Sequence, residues 1–215
     1  MQRTLILAGL TATLFAAPAA AQNTCAEYAR TPAVGGWSQW QSKDGRFKLA
    51  LIGTEQREGK DMYWIEMQGT QTGPGGNSGI IQILVPSFPF EMNAVKGMIL
   101  KTEGKPAMKA NDQMIGMMSS HMGNNQASAA IKDCASWTKV GDESVTVPAG
   151  TFPTIHFKDS KTNNEVWVSH DIPFGLVKGN FPGKASEVVL VAKGTDAKSS
   201  ITETPMDMGE MMNHQ

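Results

Sequence analysis

The sequence predicts a mainly β protein: a curved antiparallel sheet forming a half-open barrel, with one helix against its concave face. Three observations carry this. Short runs of strand composition recur along the chain, separated by turns rich in Gly, Pro, Asn and Asp. Most successive runs have no helical pattern between them, which favours antiparallel pairing and a sheet that curls on itself. One segment, Asp112–Met122, switches to helical spacing.

The elements follow in order. Residues 46–52 open after the hairpin-type turn Lys43-Asp44-Gly45 and alternate Phe47, Leu49 and Leu51 against Arg46, Lys48 and Ala50. Glu58-Gly59-Lys60 turns the chain into a strand over 62–68, where Tyr63, Ile65 and Met67 share a face. Residues 70–79 carry four glycines and Pro74 and read as a loop. An apolar strand over 80–85 is stopped by Pro86 and Pro89, and residues 97–101 and 107–109 form a further pair around Glu103-Gly104. The helix is capped by Asn111 and ended by Gly123. Five strands follow, over 143–147, 151–158, 165–169, 174–179 and 186–192, each bounded by turn residues.

Residues 1–21 read as a secretory signal peptide. Arg3 precedes an apolar run too short to span a bilayer, and Pro18-Ala19-Ala20-Ala21 supplies small residues for cleavage near Ala21. The expected organisation is therefore signal peptide 1–21, one β-rich domain 22–200, and a flexible Met-rich tail 201–215. The mature protein is expected in the periplasm or secreted, with no transmembrane span. In that compartment the two cysteines, Cys25 and Cys134, are expected to form a disulfide. The chain-entropy model values so long a closed loop at about 4–5 kcal/mol.

Two stretches carry a family likeness. Val145-Thr146-Val147-Pro148-Ala149-Gly150-Thr151-Phe152, followed by Val166-Trp167-Val168-Ser169-His170-Asp171-Ile172-Pro173-Phe174-Gly175-Leu176-Val177-Lys178, resembles a signature of bacterial envelope proteins. These are similar in turn to the outer-membrane lipoprotein carrier superfamily. The likeness spans roughly residues 140–200. It implies a half-open β-barrel around a helical plug, with an apolar concavity that takes acyl chains in the known carriers. In this hairpin Trp167 is expected to pack inward, with Asp171 and Pro173 turning the chain and Gly175 admitting a close backbone.

Charge excludes one class of partner. Lysine and arginine number 19 against 20 acidic residues, a net charge of -1, so no basic excess is present to hold a nucleic acid backbone. Gly76-Asn77-Ser78-Gly79 imitates a protease nucleophile loop, but no histidine precedes Ser78. No phosphate-binding loop, dinucleotide fingerprint or zinc-type histidine spacing is present. His156, between Ile155 and Phe157, is expected to face solvent. Nothing here points to an enzyme.

Methionine is the unusual component, with fourteen residues against two tyrosines. On the helix, Met114, Met117, Met118 and Met122 stand with His121 at i, i+3, i+4, i+8 and i+7. Such a face either packs as core or lines a pocket for varied apolar partners, a thioether being flexible and polarizable. In the tail, Met206, Met208, Met211, Met212 and His214 are soft donors suited to Cu(I) or Ag(I), unless the terminus is simply unstructured. The expected function is a non-enzymatic periplasmic binding or carrier protein for a lipid or other apolar small molecule, the four helix methionines lining its site. The alternative is a soft-metal protein using the tail, Cu(I) then being its one cofactor-like ligand.

Overall fold

The computed structural model describes residues 30–71, 79–122, 137–184 and 186–207. Signal residues 1–21, both cysteines and the chain beyond 207 lie outside these, so the cleavage site and the Cys25–Cys134 pairing do too. The first half contributes strands β1 (Trp37–Ser42), β2 (Gly45–Arg57), β3 (Lys60–Gln71), β4 (Gly79–Val85), β5 (Gly97–Thr102) and β6 (Met108–Lys109), then helix α1 (Asp112–Met122). The second half contributes β7 (Trp137–Val147), β8 (Gly150–Asp159), β9 (Glu165–Val168), β10 (Leu176–Phe181), β11 (Ser186–Gly194) and β12 (Met206–Asp207).

All twelve strands belong to one open sheet, ordered β12-β6-β5-β4-β3-β2-β1-β11-β10-β9-β8-β7. Two antiparallel meanders, β1 to β6 and β7 to β11, meet where β1 pairs β11 at the centre. The turns that allow this are local. Glu58 (φ 51) and Gly59 (φ 73) are both left-handed, the backbone of a two-residue hairpin between Arg57 and Lys60. The mainly β class, the open sheet and the one α-helix among the described residues agree with the sequence reading. Strand β1 was not foreseen. Its tryptophans stand three apart and its inward neighbour of Trp40 is Ser38, fully buried, so no apolar alternation marks it.

Residues paired directly across strands share a face. Leu51, Ile65, Ile83 and Met98 form one such row, and Leu49, Met67, Ile81 and Leu100 the next. These rows are the floor of the main hydrophobic core. Phe88, Met92 and Val95 from the β4–β5 connection cover them, as do Ile115 of α1 and Phe174 of the β9–β10 loop. Phe88 meets Phe174 edge-on at 4.9 Å.

The β7–β11 half curls strongly. In a flat sheet the β7–β8 turn would lie three to four spacings from β11, about 14–19 Å. Instead Ala149 N–H donates to Leu190 O at 3.3 Å, and Val147 joins Leu190 in the core. The edge strands β7 and β12 nevertheless do not pair, so the sheet stays open.

The opposite face carries a second row, Ala50, Glu66, Gln82 and Ile99. After β11 the chain crosses this face as a strap. Ala197 N–H donates to Gly35 O, Trp37 Nε1 donates to Asp196 Oδ1 at 2.8 Å, and Ser200 reaches Glu66. Ile201 is buried, Glu203 pairs with Lys101, and Met206 N–H donates to Ala107 O before β12 joins β6 in parallel. The reach is adequate: the seven strand spacings from β11 to β12 amount to about 33 Å, and residues 195–206 extend to about 36 Å. For residues 201–207 this replaces the expected loose tail. Serine, aspartate and glutamate bonded to a distant strand leave no periodic trace in sequence.

Two carboxylates fasten this strap. The Trp37 indole N–H holds the Asp196 carboxyl below its ordinary range, and the Lys101 ammonium does the same for Glu203. A lowered folded-state value adds stability above the unfolded-state value, and that stability is lost as pH falls through the carboxylate range. We therefore expect hydrogen exchange at Ala197 and Met206, corrected for intrinsic rate, to accelerate relative to β3 amides between about pH 5 and pH 3. Uniform protection across that interval would show that neither carboxylate fastens the strap.

Candidate functional site

Helix α1 begins as the sequence indicates. Asn111 Oδ1 accepts the Met114 N–H at 2.9 Å, and Asn111 O accepts the Ile115 N–H at 3.0 Å. Among its described side chains the buried one is Ile115, 7% exposed, with Met114 partly buried beside it. Met117 is 55% exposed. Two residues after Ile115 it has turned about 200° round the helix and cannot share the buried side. Met114 thus packs against the core, and Met117 stands on the exposed side of the helix. The side chains of Met118 and Met122 lie outside the described residues. An Ile115→Ala change should cost about 2–3 kcal/mol in urea unfolding, and Met117→Ala less than about 0.5 kcal/mol. Equal costs would contradict this placement.

Of the proposed soft-metal donors, only Met206 is described. It is exposed in β12 and stands in register with Met108 of β6. Met208, Met211, Met212 and His214 lie outside the described residues. Among the described residues, no group of three or more His, Cys, Asp or Glu is placed to hold a metal ion.

His156 and Trp167 differ from expectation together. They are register partners on β8 and β9, and their rings stack at 4.2 Å. Trp167 Nε1 donates to Glu143 Oε1 at 2.5 Å, with Lys178 Nζ above the indole at 5.2 Å. His156 Nδ1 lies 3.4 Å from that same Glu143 oxygen, while Nε2 is 4.0 Å from Glu165 Oε2. The Lys158 ammonium holds the Glu165 carboxyl below its usual range. Trp167 therefore sits outside the core cluster, in a stacked and ion-paired row that covers the imidazole. Period-two alternation assigns a residue to a face but does not say what its neighbours will cover.

Among the described residues, a cavity lies away from the helix, between the segment before β1, the β9–β10 loop and the end of β11. It measures about 540 Å³. Pro32, Ile172, Pro173 and Phe174 give it apolar walls, and Arg30, His170, Asp171 and Lys193 stand among its polar groups. The loop is firmly held. Ser169 N–H donates to Gly175 O at 2.8 Å and Gly175 N–H to Ile172 O at 2.9 Å. From β1, Ser38 Oγ donates to Pro173 O at 2.8 Å and Trp40 Nε1 to Leu176 O at 2.9 Å. Phe174 (φ 66) and Gly175 (φ 83) are both left-handed. For Phe174 that conformation costs about 1–2 kcal/mol, which burial against Phe88 offsets. Lys193 donates to Asp171 O at 3.1 Å and lies 5.5 Å from the centre of the Phe152 ring. The strand expected from Phe174 begins only at Leu176, because Phe174 and Gly175 are left-handed, whereas the Asp171-to-Pro173 turn before it was legible in sequence. Its meeting with Arg30 and Lys193 was not, because no local pattern links three segments so far apart in the chain.

No family model matches the chain, and comparison with curated proteins finds no match. Among solved structures it is similar to a protein described as a lipoprotein from Parabacteroides distasonis. That likeness has 13% identity and a TM-score of 0.33, and covers 78% of this chain and 98% of that one. It is also similar to a protein described as exported, with a YmcC-like fold, from Bacteroides fragilis (11% identity, TM-score 0.36, 78% and 99% covered). A third is MucB, at 7% identity and a TM-score of 0.38, over 85% of this chain and 61% of that one. With TM-scores below 0.5, none of these likenesses transfers a ligand or an activity.

Proposed function

We propose that the chain is exported and acts as a non-enzymatic binding protein for a lipid or similar apolar small molecule. The observation that carries this reading is the cavity beside the β9–β10 loop. Its walls of Pro32, Ile172, Pro173 and Phe174 are apolar, and its volume lies within the range of small-molecule sites. The hydrogen bonds from Ser38 and Trp40 hold the loop in place before a ligand arrives, which lowers the ordering cost of binding. The secretory pattern of residues 1–21 supports the export.

Titration of the mature protein with N-phenyl-1-naphthylamine, a neutral apolar dye, tests the reading. Saturable binding at one site is expected. Ala33 lines the cavity and is exposed, so Ala33→Trp should fill the space and abolish dye binding while leaving the thermal midpoint within a few degrees. Absence of saturable binding, or undiminished binding by the filled variant, would refute it.

A further inference from the structure

The cavity lining also carries charge, with Arg30, Asp171 and Lys193 beside the apolar Pro32, Ile172, Pro173 and Phe174. We infer that it selects an acidic amphiphile, an alkyl chain ending in a single carboxylate or phosphate group, with Arg30 and Lys193 receiving the head. This rests on the binding role proposed above and specifies its ligand class.

Both basic side chains belong to the lining. The Arg30 guanidinium presents a planar fork of donors that fits a carboxylate or phosphate through two parallel hydrogen bonds. Lys193 has three N–H donors, one of them directed to Asp171 O at 3.1 Å, which fixes the ammonium and leaves donors for an incoming anion. Its position near the Phe152 ring, 5.5 Å from the centroid, orients the stem further. Asp171 also lines the cavity and opposes an anion. The loop spends that residue's backbone carbonyl, rather than its carboxylate, on Lys193. Arg30 and Lys193 outnumber Asp171, the one carboxylate of the lining. The apolar walls then have a complementary part of the ligand to cover, namely its chain. A purely apolar molecule would leave the remaining donors of the two cations unused, and a bare anion would leave the apolar walls in water.

Displacement of the neutral dye from the mature protein by decanoate, decyl phosphate, decanol, acetate and inorganic phosphate decides the point. Decanoate and decyl phosphate should displace it at about one-tenth the concentration that decanol needs, the size of a charge-assisted contact in a partly exposed site. Acetate and inorganic phosphate should fail at the concentrations where the alkyl compounds succeed. That preference should shrink at high salt, because exposed charges are screened. Arg30→Gln and Lys193→Met should each weaken decanoate about three-fold or more and leave decanol unchanged. Equal displacement by decanoate and decanol, or variants that leave decanoate unaffected, would overturn the head-group assignment while the binding role stands. Inorganic phosphate as effective as decyl phosphate would reduce the site to a plain anion site and equally overturn it. Failure of the dye to bind in the cavity removes the binding role itself.

Discussion

Replacing Glu66 by alanine is expected to lower the unfolding free energy by about 3–5 kcal/mol, because the carboxylate is the buried anchor of the strap. Glu66 is 1% exposed on the sheet face opposite the main core. Its Oε1 accepts from Gln68 Nε2 and Ser200 Oγ, both at 2.7 Å. Its Oε2 accepts from Gln82 Nε2 at 2.7 Å and from Ser200 N–H at 2.9 Å. Alanine removes the acceptor of the Ser200 N–H and hydroxyl and one acceptor each of Gln68 and Gln82, which keep Ser200 Oγ and Ser199 Oγ, in a space that water reaches poorly. Glutamine should be much milder, about 1–2 kcal/mol. The Oε1 end meets a side-chain amide and a hydroxyl, which can reverse their donor and acceptor roles to face an NH₂ group. The Oε2 end meets a main-chain N–H that cannot reverse, so the glutamine oxygen must take that side. Urea unfolding of both variants checks the order. A loss below about 1 kcal/mol for the alanine variant would mean that the strap contributes little to stability.

Trp40→Ala should cost a comparable amount, about 3–5 kcal/mol, for a different reason. Trp40 is 1% exposed on the strand that joins the two meanders. It stacks on Phe47 at 5.0 Å, stands in register with the fully buried Leu190, and donates through Nε1 to Leu176 O. Trp40→Phe keeps most of the apolar volume but loses that donor, and is expected to cost about 1–3 kcal/mol. Because β1 is the junction of both halves, each variant should unfold in one transition by tryptophan fluorescence and by circular dichroism. Two separated transitions would show that the halves fold independently and that Trp40 only decorates one of them.

These two residues also mark the limits of what the chain reveals before folding. Trp40 was recognisable as a large apolar side chain suited to a core or its rim. Its strand escaped notice because Ser38, two residues earlier on the same face, is polar yet buried and bonded to Pro173 O. Glu66 gave no local hint of its role. It sits between Ile65 and Met67 as an ordinary polar residue of an alternating strand, and the partner that makes it structural, Ser200, lies 134 residues away. The helix shows the same division. Its start at Asp112 and the Asn111 cap were legible from local chemistry, whereas the side turned inward was not. Ile115 is buried and Met117 is not, because the Met92–Ala94 turn and β5 decide where the helix docks.

By itself the sequence determined the mainly β class, most strand positions, the turns at Glu58-Gly59 and Asp171-to-Pro173, and the bounds of the helix. All of these depend on neighbours within a few residues, whose spacing repeats every two or 3.6 positions and is therefore visible along the chain. Only the tertiary structure decided that β1 joins the two meanders by pairing with β11, that residues 195–207 strap the far face, and that Arg30 and Lys193 share a cavity with the Asp171-to-Gly175 turn. Those choices join segments distant in sequence through hydrogen bonds, charges and shape, none of which has a period to read.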